Sequence, residues 1–76
     1  MERISVDSSN VKSLGYNPAS QVLEVEFIRK GGGDGPVYSY DGVPPEKWQG
    51  LMASASKGHY LNAEIKGHYT CTKISG

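Results

Sequence analysis

Cysteine is nearly absent from this chain. Cys71 is the only one, so an internal disulfide, the usual staple of small secreted domains, is excluded. Histidine is almost as scarce. His59 and His68 stand without the clustered Cys and His ligands of a structural zinc site, so no metal is expected. Charge of one sign is not in excess, with 8 basic and 8 acidic side chains, which argues against a protein that coats long nucleic acid by bulk electrostatics. No run approaches membrane-spanning length. The opening MERISVDSSN is polar rather than a hydrophobic leader, so the expected location is the cytoplasm, without membrane contact.

These absences leave a thin stability margin. The 76 residues make a single domain, 1–76, and a chain of this size buries only about 60% of its unfolded surface. Without a disulfide or a metal, association is the remaining support, and a homo-oligomer, dimer or tetramer, is expected. The neutral sum also hides an uneven distribution. Up to residue 46, seven acids (Glu2, Asp7, Glu24, Glu26, Asp34, Asp41, Glu46) face four bases (Arg3, Lys12, Arg29, Lys30). Beyond it, Lys47, Lys57, Lys66 and Lys73 face only Glu64. A local positive site on a neutral molecule suits a small anion better than a long polyanion.

The segment 8–17 reads as an edge strand anchored by Val11 and Leu14, closed by the turn Asn17-Pro18-Ala19-Ser20. Residues 21–28 alternate, with Leu23, Val25 and Phe27 on one face and Glu24 and Glu26 on the other, as in a half-buried strand. A glycine-rich loop over 29–36 leads to a third strand over 37–41, which puts Tyr38 and Tyr40 on a common face. Pro44-Pro45 opens a helix, since the first helical position needs no amide donor. Trp48, Leu51, Met52 and Ala55 form its apolar stripe, Lys47 and Gln49 look outward, and Gly58 supplies its stop. A short helix around 62–66 and a strand around 69–74 complete the chain. The expected fold is α+β: an antiparallel β-meander with one main amphipathic helix packed on one face.

The tetrapeptide Lys-Gly-His-Tyr occurs twice, at 57–60 and 66–69. A cation, a glycine that admits close approach, an imidazole and a phenol together suit an anion attached to a flat ring, as in a nucleotide. The competing reading has each glycine ending a helix or turning the chain, each lysine solvated and each tyrosine packed. Ser56, Lys57, Gly58, His59, Tyr60 and Asn62 form the densest cluster of such groups. Lys57 and Lys66 would hold phosphate while Tyr60 or His59 stacks on a base. Tyr38 and Tyr40 either line the same pocket or fill the core.

Catalysis finds less support. The run Gly31-Gly32-Gly33-Asp34-Gly35 lacks the Lys-Ser/Thr pair and following helix of a phosphate loop. Cys71 reads as a small, partly buried thiol. Glu24 and Glu26 share a strand face that ordinarily marks the solvent side of a meander. No catalytic residue, and no cofactor, is therefore expected.

The succession Ser8-Ser9-Asn10, Gly15-Tyr16, Leu23-Glu24-Val25-Glu26-Phe27, Tyr38-Ser39-Tyr40, Val43-Pro44, Trp48, Ser56, Gly58, Tyr60, Asn62, Ile65 and Tyr69 resembles the KTSC domain, found also at the C-terminus of some lysyl-tRNA synthetases. The resemblance runs over residues 5 to 69. It implies a small stand-alone bacterial or phage protein and a binding module rather than an enzyme. The loop over 29–36 departs from the tight turn of that family, as a ligand lid, a subunit contact or an idle insertion. The leading expectation is a non-enzymatic nucleotide-binding module, phage-encoded, that sequesters cyclic oligonucleotide immune signals at an oligomer interface. The phage and immune elements, and with them a location in the host cytoplasm, rest on the resemblance alone. The alternative is a module that docks on RNA or on a host protein such as RNA polymerase.

Overall fold

The computed structural model describes residues 3–29, 31 and 34–75. Its elements are β1 (Ile4–Ser5), β2 (Val11–Asn17), β3 (Val22–Ile28), β4 (Asp34–Asp41), α1 (Pro45–Ala53), α2 (Lys57–Tyr60), a single π-helical turn (Leu61–Ile65) and β5 (Thr70–Ser75). The strands form one sheet in the order β1-β2-β3-β4-β5, every neighbouring pair antiparallel. The chain is thus an α+β meander in which a helical excursion separates β4 from β5. No helix among the described residues is long and apolar enough to cross a membrane.

Strand alternation divides the sheet into two unlike faces. The pairs Leu14–Val25, Tyr16–Leu23, Leu23–Tyr40 and Val25–Tyr38 put these side chains on the inner face, and Cys71 and Lys73 follow opposite Tyr40 and Tyr38. Leu14, Leu23, Val25 and Tyr40 from that face join Val11, Val43, Leu51, Leu61 and Ile65 in one buried core. Tyr16 and Trp48 stack at 5.4 Å against its side, and the Tyr16 hydroxyl donates to the Val43 carbonyl at 2.5 Å. The outer face is mostly polar, with Val22 and the buried Val37 among its apolar positions. Arg3 donates to Glu24 at 2.7 Å and to Ser13 at 3.2 Å, and Ser13 donates to Glu26 at 2.8 Å. Glu24 thus ties Arg3, beside β1, to the sheet, and Glu26 is bonded across β2 and β3 by Ser13.

Several boundaries differ from the sequence expectations. The segment 8–17 is not an edge, because β1 flanks β2. A two-residue strand carries too little alternation to be read from sequence. The third strand begins at Asp34, not Val37, so glycine and proline of the expected loop belong to β4. A β-carbon on Gly35 would collide with the Phe27 carbonyl, so glycine is what permits β4 to close on β3 at the irregularity between Glu26 and Ile28. Pro36 is tolerated because the β4–β5 ladder begins only at Val37. Lys30, Gly32 and Gly33 of that loop lie outside the described residues. The turn at Asn17 forms as expected, its side-chain oxygen accepting from the Ala19 and Ser20 amides at 3.0 and 3.4 Å.

Helix α1 starts at Pro45 as expected but ends at Ala53, so Ala55 lies beyond it and is exposed. Gly58 is not its stop; it lies inside α2. Serine chemistry breaks the helix instead. The Ser54 hydroxyl bonds the Ser56 backbone, and the Ser56 hydroxyl accepts from the His59 amide at 3.4 Å, offering the chain local bonds that compete with helical ones. The Lys66 amide then reaches back five residues to the Leu61 carbonyl at 2.7 Å, closing the π turn with Leu61 and Ile65 buried.

Lys47 on α1 holds Glu64 of the π turn at 2.8 Å. This hydrogen bond, reinforced by the lysine charge, sets the Glu64 carboxyl below the ordinary glutamate range. A depressed folded-state value means that the stabilising contribution is present above the unfolded-state pKa and is lost as pH falls through the folded one. Carboxyl NMR titration should therefore find a low Glu64 midpoint that Lys47→Met returns to the ordinary range. An unchanged midpoint in the variant would contradict the pairing.

Candidate functional site

Where the helical layer ends, the inner face of the sheet is left open. All six residues of β5 are exposed, and a groove of about 440 Å³ lies there, lined by Phe27, Pro36, Tyr38, Tyr40, Lys66, Gly67 and Cys71. This falls within the roughly 300–1,000 Å³ of small-molecule sites. Its walls follow from the fold. Phe27 and Tyr38 come from adjacent strands and meet edge to face at 5.7 Å. Lys66 is extended immediately after the π turn, which carries its ammonium over the Phe27 ring, 5.1 Å from the centroid. Gly67 has φ +81°, a backbone conformation that lets the chain swing from the π turn into β5.

Tyr40 lies on the floor, only 3% exposed. Burial first, and then the neighbouring Cys71 side chain, pushes its phenol above the ordinary tyrosine value, so it is a neutral hydrogen-bonding group at physiological pH. Cys71 itself is exposed rather than partly buried, because α1 and α2 do not extend over β5. No acidic side chain lines the groove among the described residues, and Lys73 stands on the same face opposite Tyr38. The chemical character is an aromatic slot with cations at its lip and a neutral phenol at its base. Among the described residues no group of three His, Cys, Asp or Glu is placed to hold a metal ion.

Of the residues singled out in the sequence, the fold brings Tyr38, Tyr40 and Lys66 together in this groove. The first Lys-Gly-His-Tyr copy is placed apart from it, among backbone contacts. Ser56 caps α2. Lys57 donates to the Met52 and Ser54 carbonyls at 3.3 and 3.0 Å, closing the end of α1. Gly58 faces the Asn10 side chain, and the Tyr60 phenol lies where a β-carbon on Gly50 would be. His59 and Asn62 are exposed. In the second copy, the His68 ring contacts the Ala63 carbonyl at 3.1 Å and Tyr69 packs against the core.

Phe27, Pro36, Gly67 and Cys71 were missed as lining residues. For Phe27 the alternation that marks a core strand conceals that its ring lies beyond the helical cover. The pairing of β3, β4 and β5 brings Phe27, Pro36 and Cys71 together, and the chain leaving the π turn adds Gly67.

The KTSC domain family model matches residues 7–69. An uncharacterised protein of Stutzerimonas stutzeri is 41% identical over 75 residues, covering 97% of this chain and 99% of that protein. A lysine–tRNA ligase of a Nostoc species is 32% identical over 69 residues, which are 91% of this chain but only 11% of the ligase. The crystal structure of a KTSC domain protein from Yersinia pestis superposes with a TM-score of 0.85 at 39% identity, covering 97% of both chains.

Proposed function

The chain belongs to the KTSC domain family, and from that premise we propose that it is a non-enzymatic binding module that takes a small phosphorylated nucleotide in the groove beside Lys66. The observation that supports this reading is the conjunction of Phe27, Tyr38 and Tyr40 with the Lys66 ammonium in one open slot. A nucleobase stacks on the Tyr38 face, the Tyr40 phenol hydrogen-bonds its edge, and Lys66 swings from the Phe27 ring onto the phosphate. Among the described residues the groove lining contains no histidine or carboxylate to activate the Cys71 thiol, which supports binding without turnover.

In its most specific form the module acts in the cytoplasm as a sequestering protein for cyclic oligonucleotide signals. Calorimetry with AMP, ADP and cyclic di- and trinucleotides tests it. The expected result is saturable heat, a raised melting temperature and ligand recovered unchanged after long incubation. No heat and no melting shift across the panel would refute it.

A second reading has one observation in its favour: a similar sequence is part of a lysine–tRNA ligase. A domain that docks on RNA would bind more tightly to longer strands and lose affinity steeply with salt, whereas a nucleotide slot depends little on strand length. A protein-docking module would bind neither.

A further inference from the structure

The two edges of the sheet are built differently. At one side β1 is only two residues long, and Arg3 beside it is tied to Glu24 and Ser13. At the other, β5 presents six exposed residues and, among the described residues, has a strand on one side only. Such an edge offers a row of backbone donors and acceptors to another strand. The groove opens toward this edge, since Cys71 lines it and Lys73 follows on the same face.

We infer that two copies of this chain join through β5, antiparallel about a twofold axis at Thr72, and that each groove thereby gains the partner's Lys73. Register decides the geometry. Residues directly opposite in an antiparallel pair point to the same face, so the helical layers stay on one side of a continuous sheet only if inner-face residues oppose inner-face residues. That condition leaves axes centred on a residue, and within Thr70–Ser75 those at Thr72 and Lys73 pair the longest stretch of strand. An axis at Lys73 opposes two ammonium groups directly. An axis at Thr72 pairs threonine with threonine on the outer face and puts Lys73 opposite the partner's Cys71 on the inner face. Cys71 lines the groove, so the second lysine arrives beside Lys66, where a phosphate would be clamped from both subunits.

The shift in β4–β5 register around Ile74 keeps the ladder short. A short ladder buries less than the roughly 1,000 Å² of a stable specific interface. The dimer is therefore weak by itself and strengthened by a ligand that both lysines hold, and by linkage the ligand binds more tightly to the dimer.

This inference rests on the nucleotide reading for its ligand but not for its edge pairing, and sedimentation velocity with and without cyclic di-AMP separates the two. Expected are a concentration-dependent dimer in the unliganded chain, at least tenfold tighter with cyclic di-AMP. Thr72→Lys and Thr72→Glu, at an exposed position, should each remain folded and monomeric by circular dichroism and sedimentation, while their mixture dimerises by charge complementarity across the axis. Lys73→Met should dimerise without ligand but lose the ligand-induced gain. Dimerisation with no response to ligand supports the edge and overturns the shared groove. A chain that binds cyclic di-AMP yet stays monomeric at millimolar concentration overturns the dimer while leaving the groove reading intact. Failure of the charge-swapped mixture to dimerise when the native chain does overturns the axis at Thr72.

Discussion

Gly35→Ala is expected to lower the melting temperature of this domain by roughly 15 °C or more, corresponding to about 3 kcal/mol of lost stability. The reason is geometric. The alanine β-carbon would overlap the Phe27 carbonyl, with the Arg29 amide also within 3.0 Å, and these are backbone atoms that no rotamer change can move aside. Strand β4 would have to withdraw from β3 at the end of the ladder, where Ile28 faces Asp34. A small domain has a total stability on the order of 5 kcal/mol, so the variant should retain only about 2 kcal/mol and have a populated unfolded fraction of a few per cent. Thermal denaturation followed by circular dichroism reads this directly. Gly42→Ala is the useful comparison: φ at Gly42 is +76° but a β-carbon there meets nothing within 4 Å, so only backbone strain of about 1 kcal/mol applies. Equal melting temperatures for the two variants would show that the close approach of β3 and β4 is not a constraint.

Tyr38→Ala and Lys66→Met are each expected to weaken nucleotide binding about 10- to 100-fold, through loss of a stacking face and of a charge-assisted contact respectively. Neither should unfold the chain. Tyr38 is partly buried at the side of the core rather than within it, and Lys66 is exposed. Lys57→Met is the matched control, removing the same charge from the other Lys-Gly-His-Tyr copy. Because the Lys57 ammonium is spent on the Met52 and Ser54 carbonyls, that variant should bind within about twofold of the native chain and lose some stability instead, on the order of 1 kcal/mol. Calorimetric titration of the three variants distinguishes the outcomes. Loss of binding in Lys57→Met with retention in Lys66→Met would place the ligand on α2 and overturn the groove.

The contrast between these two lysines illustrates how much of the site was legible beforehand. Both stand in the same tetrapeptide, and residue types alone make them equivalent. Their separation comes from backbone geometry: Lys57 opens α2 after a serine cap, whereas Lys66 follows the π turn in an extended conformation. Local sequence does not announce a turn that skips one residue, since its hydrogen bond spans five positions and is stabilised by the burial of Leu61 and Ile65 at its ends. Tyr38 and Tyr40 were recognised as sharing a face because alternation along a strand is a local property. That Tyr40 is the floor of the groove and Tyr38 its wall depends on where the helices stop.

The sequence by itself determined the antiparallel meander, the Asn17 turn, the proline-started helix and the family, because periodicity, turn chemistry and a helix-start residue act over a few neighbours. Tertiary structure alone decided that Gly35 and Pro36 belong to a strand, that Ser54 and Ser56 rather than Gly58 punctuate the helices, and that Phe27, Tyr38, Tyr40, Lys66 and Cys71 form one groove. The strand and groove outcomes depend on cross-strand register and on the limited reach of α1 and α2, contacts between residues far apart in the chain; the serine bonds are local, but only the folded chain shows that they prevail over helix continuation.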